Sequence, residues 1–298
     1  MELRVLKYFL AAAREGGITK AANVLHVTQP TLSRQLIDLE SELGCRLFER
    51  GGRSLALTDD GILLKKRAEE ILDMVERAEA ELSAGKGAGM CGDVYIGGGE
   101  TCGMARIASV VRGLRESAPR IRYHLFSGNA DDVTEKLDKG LLDFGLLIQP
   151  ADLSKYDCVS LPDTDTWGVL MRKDSPLAAR KKIRRGDLLG VPLLVSRQMS
   201  HRAPSGSGLL KWFGEDLEKL EIAATYNLIY NAGIMVKEGV GCALALDKLA
   251  DTGPDSPLCF RPLFPKVEAG LSVVWKKDRQ FSAASKVFLD ELKSRFAR

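Results

Sequence analysis

What this chain has little of narrows its role first. It contains no run of 18 apolar residues, so no segment reads as a membrane-spanning helix, and its N-terminus patterns as an amphipathic helix with no apolar signal core. A cytoplasmic protein without membrane attachment is therefore expected. Histidine is scarce, 3 in 298 residues, and the cysteines at 45, 91, 102, 158, 242 and 259 form neither a C-x-x-C pair nor a zinc-like quartet. So few ligands predict no metal site and no resident cofactor, and cysteines spaced this way in the cytosol are expected to stay reduced. An excess of one charge is also missing. The chain carries a net charge of +3, and residues 1–58 hold 8 basic against 6 acidic side chains, so any nucleic-acid footprint is a local patch and not a strongly basic domain.

Catalytic signatures are absent as well. The glycine-rich turn Gly97-Gly-Gly-Glu100-Thr101-Cys102-Gly103 has the spacing G-x-G-x-x-x-G, and Phe126-Ser127 stands near the place where a dinucleotide fold needs an acidic residue. There is no Walker loop. Ser205-Gly-Ser-Gly208 lacks the first glycine of a nucleophile elbow, and no motif links His124 or His201 to a serine or cysteine. The chain is not expected to be an enzyme.

What is present is a soluble globular composition, 45% hydrophobic and 28% charged, long enough for two or three domains. Between residues 19 and 58 the order of caps, apolar spacing and turns predicts two short helices, a tight turn and a two-strand wing. Thr19 and Thr28 are placed to cap the two helices, and Pro30 lies in the first turn of the second, where its missing N–H removes nothing. Leu32, Leu36, Leu39 and Leu43 recur at 4, 3, 4 spacing as an inward face, and Gly44 ends the helix. The outward face carries Gln29, Thr31, Ser33, Arg34 and Asp38. Arg34 is the best candidate for a base contact, because a guanidinium pairs bidentately with guanine O6 and N7. Beyond it, Arg50 and Arg53 flank the Gly51-Gly52 turn and would grip backbone or minor groove from the wing. A plain helical hairpin with a solvated polar face is the competing reading of this block.

The stretch 3–64 closely resembles the winged helix-turn-helix of LysR-type transcriptional regulators, through Leu3-Arg-Val-Leu-Lys-Tyr-Phe, Ala21-Ala-Asn-Val-Leu, Gln29-Pro-Thr-Leu-Ser-Arg, Leu47-Phe-Glu-Arg and Leu57-Thr-Asp-Asp-Gly61. The resemblance implies a bacterial regulator that binds a double-stranded operator, with DNA contacts on Gln29, Pro30, Thr31, Ser33, Arg34 and Arg53. Thr31 stands where many members have a smaller side chain. It further implies a homotetramer built as a dimer of dimers, activation of a neighbouring operon through RNA polymerase, and frequent repression of its own gene.

From Thr58 one long helix is predicted, with Asp59 and Asp60 in its first turn. Leu64, Ala68, Ile71, Val75, Ala78 and Leu82 repeat on a seven-residue period, which fits a partner helix better than a lone one. In the family this is the dimerising linker. Four glycines between 83 and 92 then read as a hinge. The expected domains are 1–58 for DNA binding, 59–83 for the linker helix, 84–92 for the hinge and 93–298 for an effector-binding part.

In that last part, strand-like runs at 94–97, 121–126, 144–148, 167–172, 192–195, 222–226, 242–246 and 271–276 alternate with helical stretches near 104–116, 130–139, 207–213, 229–238 and 282–297. The alternation predicts a mainly parallel α/β arrangement in two lobes. The first lobe takes about 93–161 and 266–298, the second about 162–265, with crossovers near 158–166 and 261–270. Order and lengths resemble the family's two-lobed, periplasmic-binding-protein-like effector domain. An extracytoplasmic solute-binding protein would fit this region alone, but the front end of the chain argues against it. A small anionic effector is expected in the cleft, at turns after strands where helix N-termini expose N–H groups. Thr101, Ser127, Asn129, Gln149, Ser196 and Asn227 are the candidate contacts, with Arg197 beside Ser196, although such residues are often plain helix caps. Cys102 at a helix start invites a redox-sensor reading. No partner cysteine lies close to it, and the family's peroxide sensors carry their reactive pair in the loop that corresponds to 196–210, where this chain has none.

Overall fold

A computed structural model describes residues 1–49, 55–84, 90–197, 199 and 208–297. The chain divides into two compact units, Met1–Lys86 and Gly87–Arg298.

The first unit contains α1 (Leu3–Glu15), α2 (Ile18–Val24), α3 (Gln29–Leu43) and α4 (Asp59–Ala84). Gly16 takes the left-handed conformation after α1 (φ 62), and the corner it makes starts α2 at once, with Gly17 at the N-cap. Thr19 is therefore inside α2 and caps nothing, contrary to the sequence expectation. Thr28 does cap α3, accepting from the Thr31 N–H at 3.4 Å, and Gly44 ends it with φ 68. Leu32, Leu36 and Leu39 are buried against Leu6, Phe9 and Ala21, whereas Leu43, one turn further on, overshoots the core and is 40% exposed. At the start of α4 the Thr58 hydroxyl accepts from the Gly61 N–H (3.0 Å) and donates to the Arg46 carbonyl (2.6 Å). Gly61 is obligatory here, since a Cβ would collide with the Leu47 carbonyl oxygen.

The heptad pattern of α4 serves two purposes. Leu64, Ala68, Ile71 and Leu72 pack into the core of this same unit, so the first half of the predicted partner seam is spent on closing the fold. Ala78 and Leu82, further along, are exposed, Leu82 to 77%.

The second unit opens with β1 (Cys91–Gly98), α5 (Met104–Ser117), β2 (Arg120–Ser127), α6 (Ala130–Asp138) and β3 (Phe144–Ile148), whose strands run parallel in the order β2-β1-β3. β1 thus begins inside the segment read as a hinge, of which residues 85–89 lie outside the described residues. Next comes β4 (Tyr156–Arg172), a single strand of 17 residues. The second lobe adds β5 (Leu193–Ser196), α7 (Gly208–Phe213), β6 (Ile222–Tyr226), α8 (Ile229–Lys237), β7 (Cys242–Leu246) and β8 (Leu258–Pro262). The chain returns through β9 (Glu268–Lys276) to α9 (Ala283–Phe296), which packs on β1 and α5.

The expectation of a mainly parallel sheet is corrected. β4 pairs antiparallel with β7, β8 and β9, and β9 pairs antiparallel with β3. The segments read as crossovers, 158–166 and 261–270, belong largely to β4, β8 and β9. Their polar, Asp-rich and Pro-containing sequence hid them, because β4 buries only a scattered few residues, Tyr156, Val159, Leu161 and Asp165, through that stretch. The register of β4 on β9 slips between Ser160 and Thr164, where the strand passes from one lobe to the other.

Each lobe has its own core. In the first, Phe144 meets Phe288 at 4.8 Å and Phe281 at 5.2 Å between ring centroids, with Val94, Ile96 and Trp275 around them. In the second, Val169, Leu193, Leu244 and Phe213 are buried together. Phe288→Ala should lower stability by about 3–5 kcal/mol, the usual cost of emptying a fully buried aromatic site. A urea titration followed by tryptophan fluorescence checks it as a lowered midpoint.

Candidate functional site

Two sites follow from these elements, one in each unit. On α3 the side chains of Gln29, Pro30, Thr31 and Arg34 are exposed and that of Ser33 is half-buried, so they share an open helix face over its first two turns. The positive φ of His26 (54°) turns the chain sharply between α2 and α3. The Thr31 hydroxyl bonds with that of Thr28 at 2.8 Å, so it belongs partly to the cap. Arg34 forms no ion pair among the described residues, which leaves its planar guanidinium available to an outside acceptor.

The wing starts from an antiparallel bridge between Phe48 and Leu57, with the Glu49 N–H donating to the Ala56 carbonyl at 2.9 Å. Glu40, which sequence reasoning left out, accepts from the N–H groups of Leu47 (2.7 Å) and Phe48 (3.2 Å) and so ties the wing base to α3. A carboxylate facing the inner side of an otherwise apolar helix end is the only sequence signal for it. Arg50 and Arg53 lie outside the described residues.

In the second unit a cavity of about 420 Å³ opens between the lobes, a size suited to a small molecule. Asn129, Gln149, Ser196 and Asn227 all line it, whereas Thr101, Ser127 and Arg197 do not. Sequence reasoning missed its apolar wall, to which Ile148, Trp167, Tyr226 and Leu246 belong. Much of the polar set is already engaged. Asn129 closes a capping box with Asp132 (3.0 and 3.1 Å), Gln149 accepts from the Ala151 N–H and donates to the Ser272 hydroxyl, and Asn227 accepts from the Leu228 N–H.

Thr101 is engaged by neighbours outside that lining. It is buried, its hydroxyl donates to the carboxylate of Asp165 on β4, and it accepts from the Gly103 N–H at 3.1 Å. Two neighbours make parallel links: Arg106 donates to both oxygens of Asp163, and Glu100 accepts from the Ile229 N–H at the start of α8. The loop after β1 thereby clasps both the connecting strand and the second lobe. Burial pushes the Asp165 carboxyl above the usual range, opposed by the Thr101 hydroxyl and reinforced by nearby Asp247. The Tyr226 phenol is likewise driven up, chiefly by burial and then by the charge of Glu100. Among the described residues no group of three or more His, Cys, Asp and Glu side chains is arranged to hold a metal, and no helix is long and apolar enough to cross a membrane.

The model of the LysR substrate binding domain matches residues 87–297, and that of the bacterial regulatory helix-turn-helix protein, lysR family, matches residues 3–62. The chain belongs to the LysR family of transcriptional regulators. It is 28% identical over 299 residues to the HTH-type transcriptional regulator YvbU of Bacillus subtilis, covering 99% of each protein. It is 28% identical over 279 residues to the hydrogen peroxide-inducible genes activator of Pectobacterium carotovorum, covering 93% of this chain and 90% of that one. Full-length CbnR, crystallised with its target DNA, superposes with a TM-score of 0.75 at 22% identity, covering 99% of both chains. This LysR-type chain has no cysteine between Cys158 and Cys242. Cys102 is half-buried, and its thiol is pushed up first by burial and then by Asp165, which disfavours the reactive thiolate.

Asp165 generates a pH prediction. Its folded pKa is raised, so the stability it contributes is complete below the unfolded value of about 3.9 and is lost as pH rises through the folded value. Asp165→Asn removes that loss, so the melting temperature of the variant relative to wild type should climb as pH is taken from about 4 towards neutrality. A difference independent of pH in a thermal-shift series contradicts the assignment.

Proposed function

We propose that this LysR-type regulator binds a pseudo-palindromic operator as a cytoplasmic homo-oligomer and answers to a small molecule seated between its lobes. The observation that carries the DNA part is the exposed, unpaired Arg34 on the capped N-terminal half of α3, beside a wing braced by Glu40. The crystal structure of CbnR with its target DNA shares this fold and supports the reading. Oligomerisation is supported by charge and by exposure. A net charge of +2 over residues 1–58 allows few phosphate contacts per copy, and the far end of α4 leaves Met74 and Leu82 uncovered. A dimer of dimers that also contacts RNA polymerase is the arrangement proposed. An effector between the lobes shifts the population of oligomer arrangements, and the linker helices change the spacing or bend imposed on the DNA. LysR-type regulators are generally non-enzymatic, and no reaction or resident cofactor is proposed here.

Arg34→Ala should weaken binding to an operator selected from random duplexes by about 1–3 kcal/mol while leaving non-specific binding nearly intact. Fluorescence anisotropy at fixed salt checks this, and unchanged operator affinity rejects the recognition-helix assignment. Val75→Asp with Leu82→Asp should shift the sedimentation profile of the full chain to smaller species. An unaltered profile rejects α4 as the dimer contact.

A further inference from the structure

Among the described residues, the cavity between the lobes is charged the wrong way for an anion. Two helices begin beside it, and each N-terminus, the natural seat for an anionic group, already holds a carboxylate of the chain itself. At α8 Glu100 accepts from the Ile229 N–H. At α6 the N-terminal turn is closed by the Asn129–Asp132 capping box and carries Asp131 as well.

The lining tells the same story. Among the described residues it contains the carboxylates of Glu100, Asp131, Asp138 and Asp152 against the single ammonium of Lys155. That ammonium is engaged, 3.7 Å from an Asp138 oxygen. Glu100, by contrast, uses only Oε2 for Ile229, and Oε1 has no partner among the described residues. It lines the same cavity as the apolar side chains of Trp167, Tyr226, Leu246 and Ile148. An incoming carboxylate would have to displace Glu100 or lie against uncompensated negative charge in a partly dry site, which is costly. An ammonium would instead complete it, with an aryl or alkyl body on the apolar wall.

We propose that the interlobe cavity selects a small cationic amphiphile, an amine carried on an aromatic or branched apolar group, with Glu100 as the ammonium partner and Asp131 adding to the field. The inference rests on the reading of this cavity as the effector site and replaces the anionic effector expected from the sequence.

Three probes of matched shape separate the alternatives on the full-length protein: 2-phenylethylamine, 3-phenylpropanoate and 2-phenylethanol, titrated calorimetrically at pH 7 and constant ionic strength. The amine should bind saturably and at least tenfold tighter than the other two. Glu100→Gln, which keeps an acceptor for Ile229, should weaken the amine about tenfold, Asp131→Asn less, and neither should weaken the alcohol. Thr134→Trp, which fills the cavity from α6, should abolish the amine without lowering the melting temperature of the free protein. If the carboxylate or alcohol binds as tightly as the amine and is lost in Thr134→Trp, the charge inference is overturned while the cavity remains a ligand site. Amine binding that is unchanged in both charge variants also overturns it. If none of the three binds, both the inference and the effector reading of this cavity fail.

Discussion

The effector unit depends on one strand, Tyr156–Arg172, which pairs antiparallel with Glu268–Lys276 along its first half and with Cys242–Leu246 and Leu258–Pro262 along its second, and so carries the sheet from one lobe to the other. Two strands in register resist sliding, because every ladder hydrogen bond would have to break together, but they bend readily where the register slips between Ser160 and Thr164. The clasp of Glu100, Thr101 and Arg106 is built across that point, reaching Ile229, Asp165 and Asp163. A ligand that prefers one lobe spacing would act on this joint, and the shift it produced would equal its difference in affinity for the two states.

The DNA-binding unit solves a different problem, holding a small helical core closed while leaving one helix face bare. Its core is too small to close with three short helices alone, so the first turns of α4 cover it with Leu64, Ala68 and Leu72. Thr58 and Gly61 make the junction tight enough for α4 to lie against the base of the wing. The same helix then continues beyond the core with uncovered apolar side chains. Folding and the proposed self-association thus share one helix, divided along its length.

Local signals were the legible ones. Thr28, Pro30 and Gly44 fixed α3 because caps and left-handed termini act within a turn. The α/β alternation located most elements of both lobes for the same reason, though not β8 or the first half of β4. What depended on distant partners was not legible. The bond from the Thr101 hydroxyl to Asp165, 64 residues away, has no local signal. The polar half of β4 reads as a connection because its strand character comes from β9, more than a hundred residues on. The carboxylates that face the cavity from distant segments, Glu100 on Ile229 above all, had no local signal either.

The central claim is that this LysR-type chain presents paired recognition helices to a specific duplex. Selection of random duplexes by the full-length protein, followed by footprinting of the selected sequences, tests it most directly. The expected result is protection of two related half-sites on one face of the helix, separated by whole turns of about 10–10.5 base pairs. Protection of a single unrepeated site, or enrichment of no sequence at all, would contradict it.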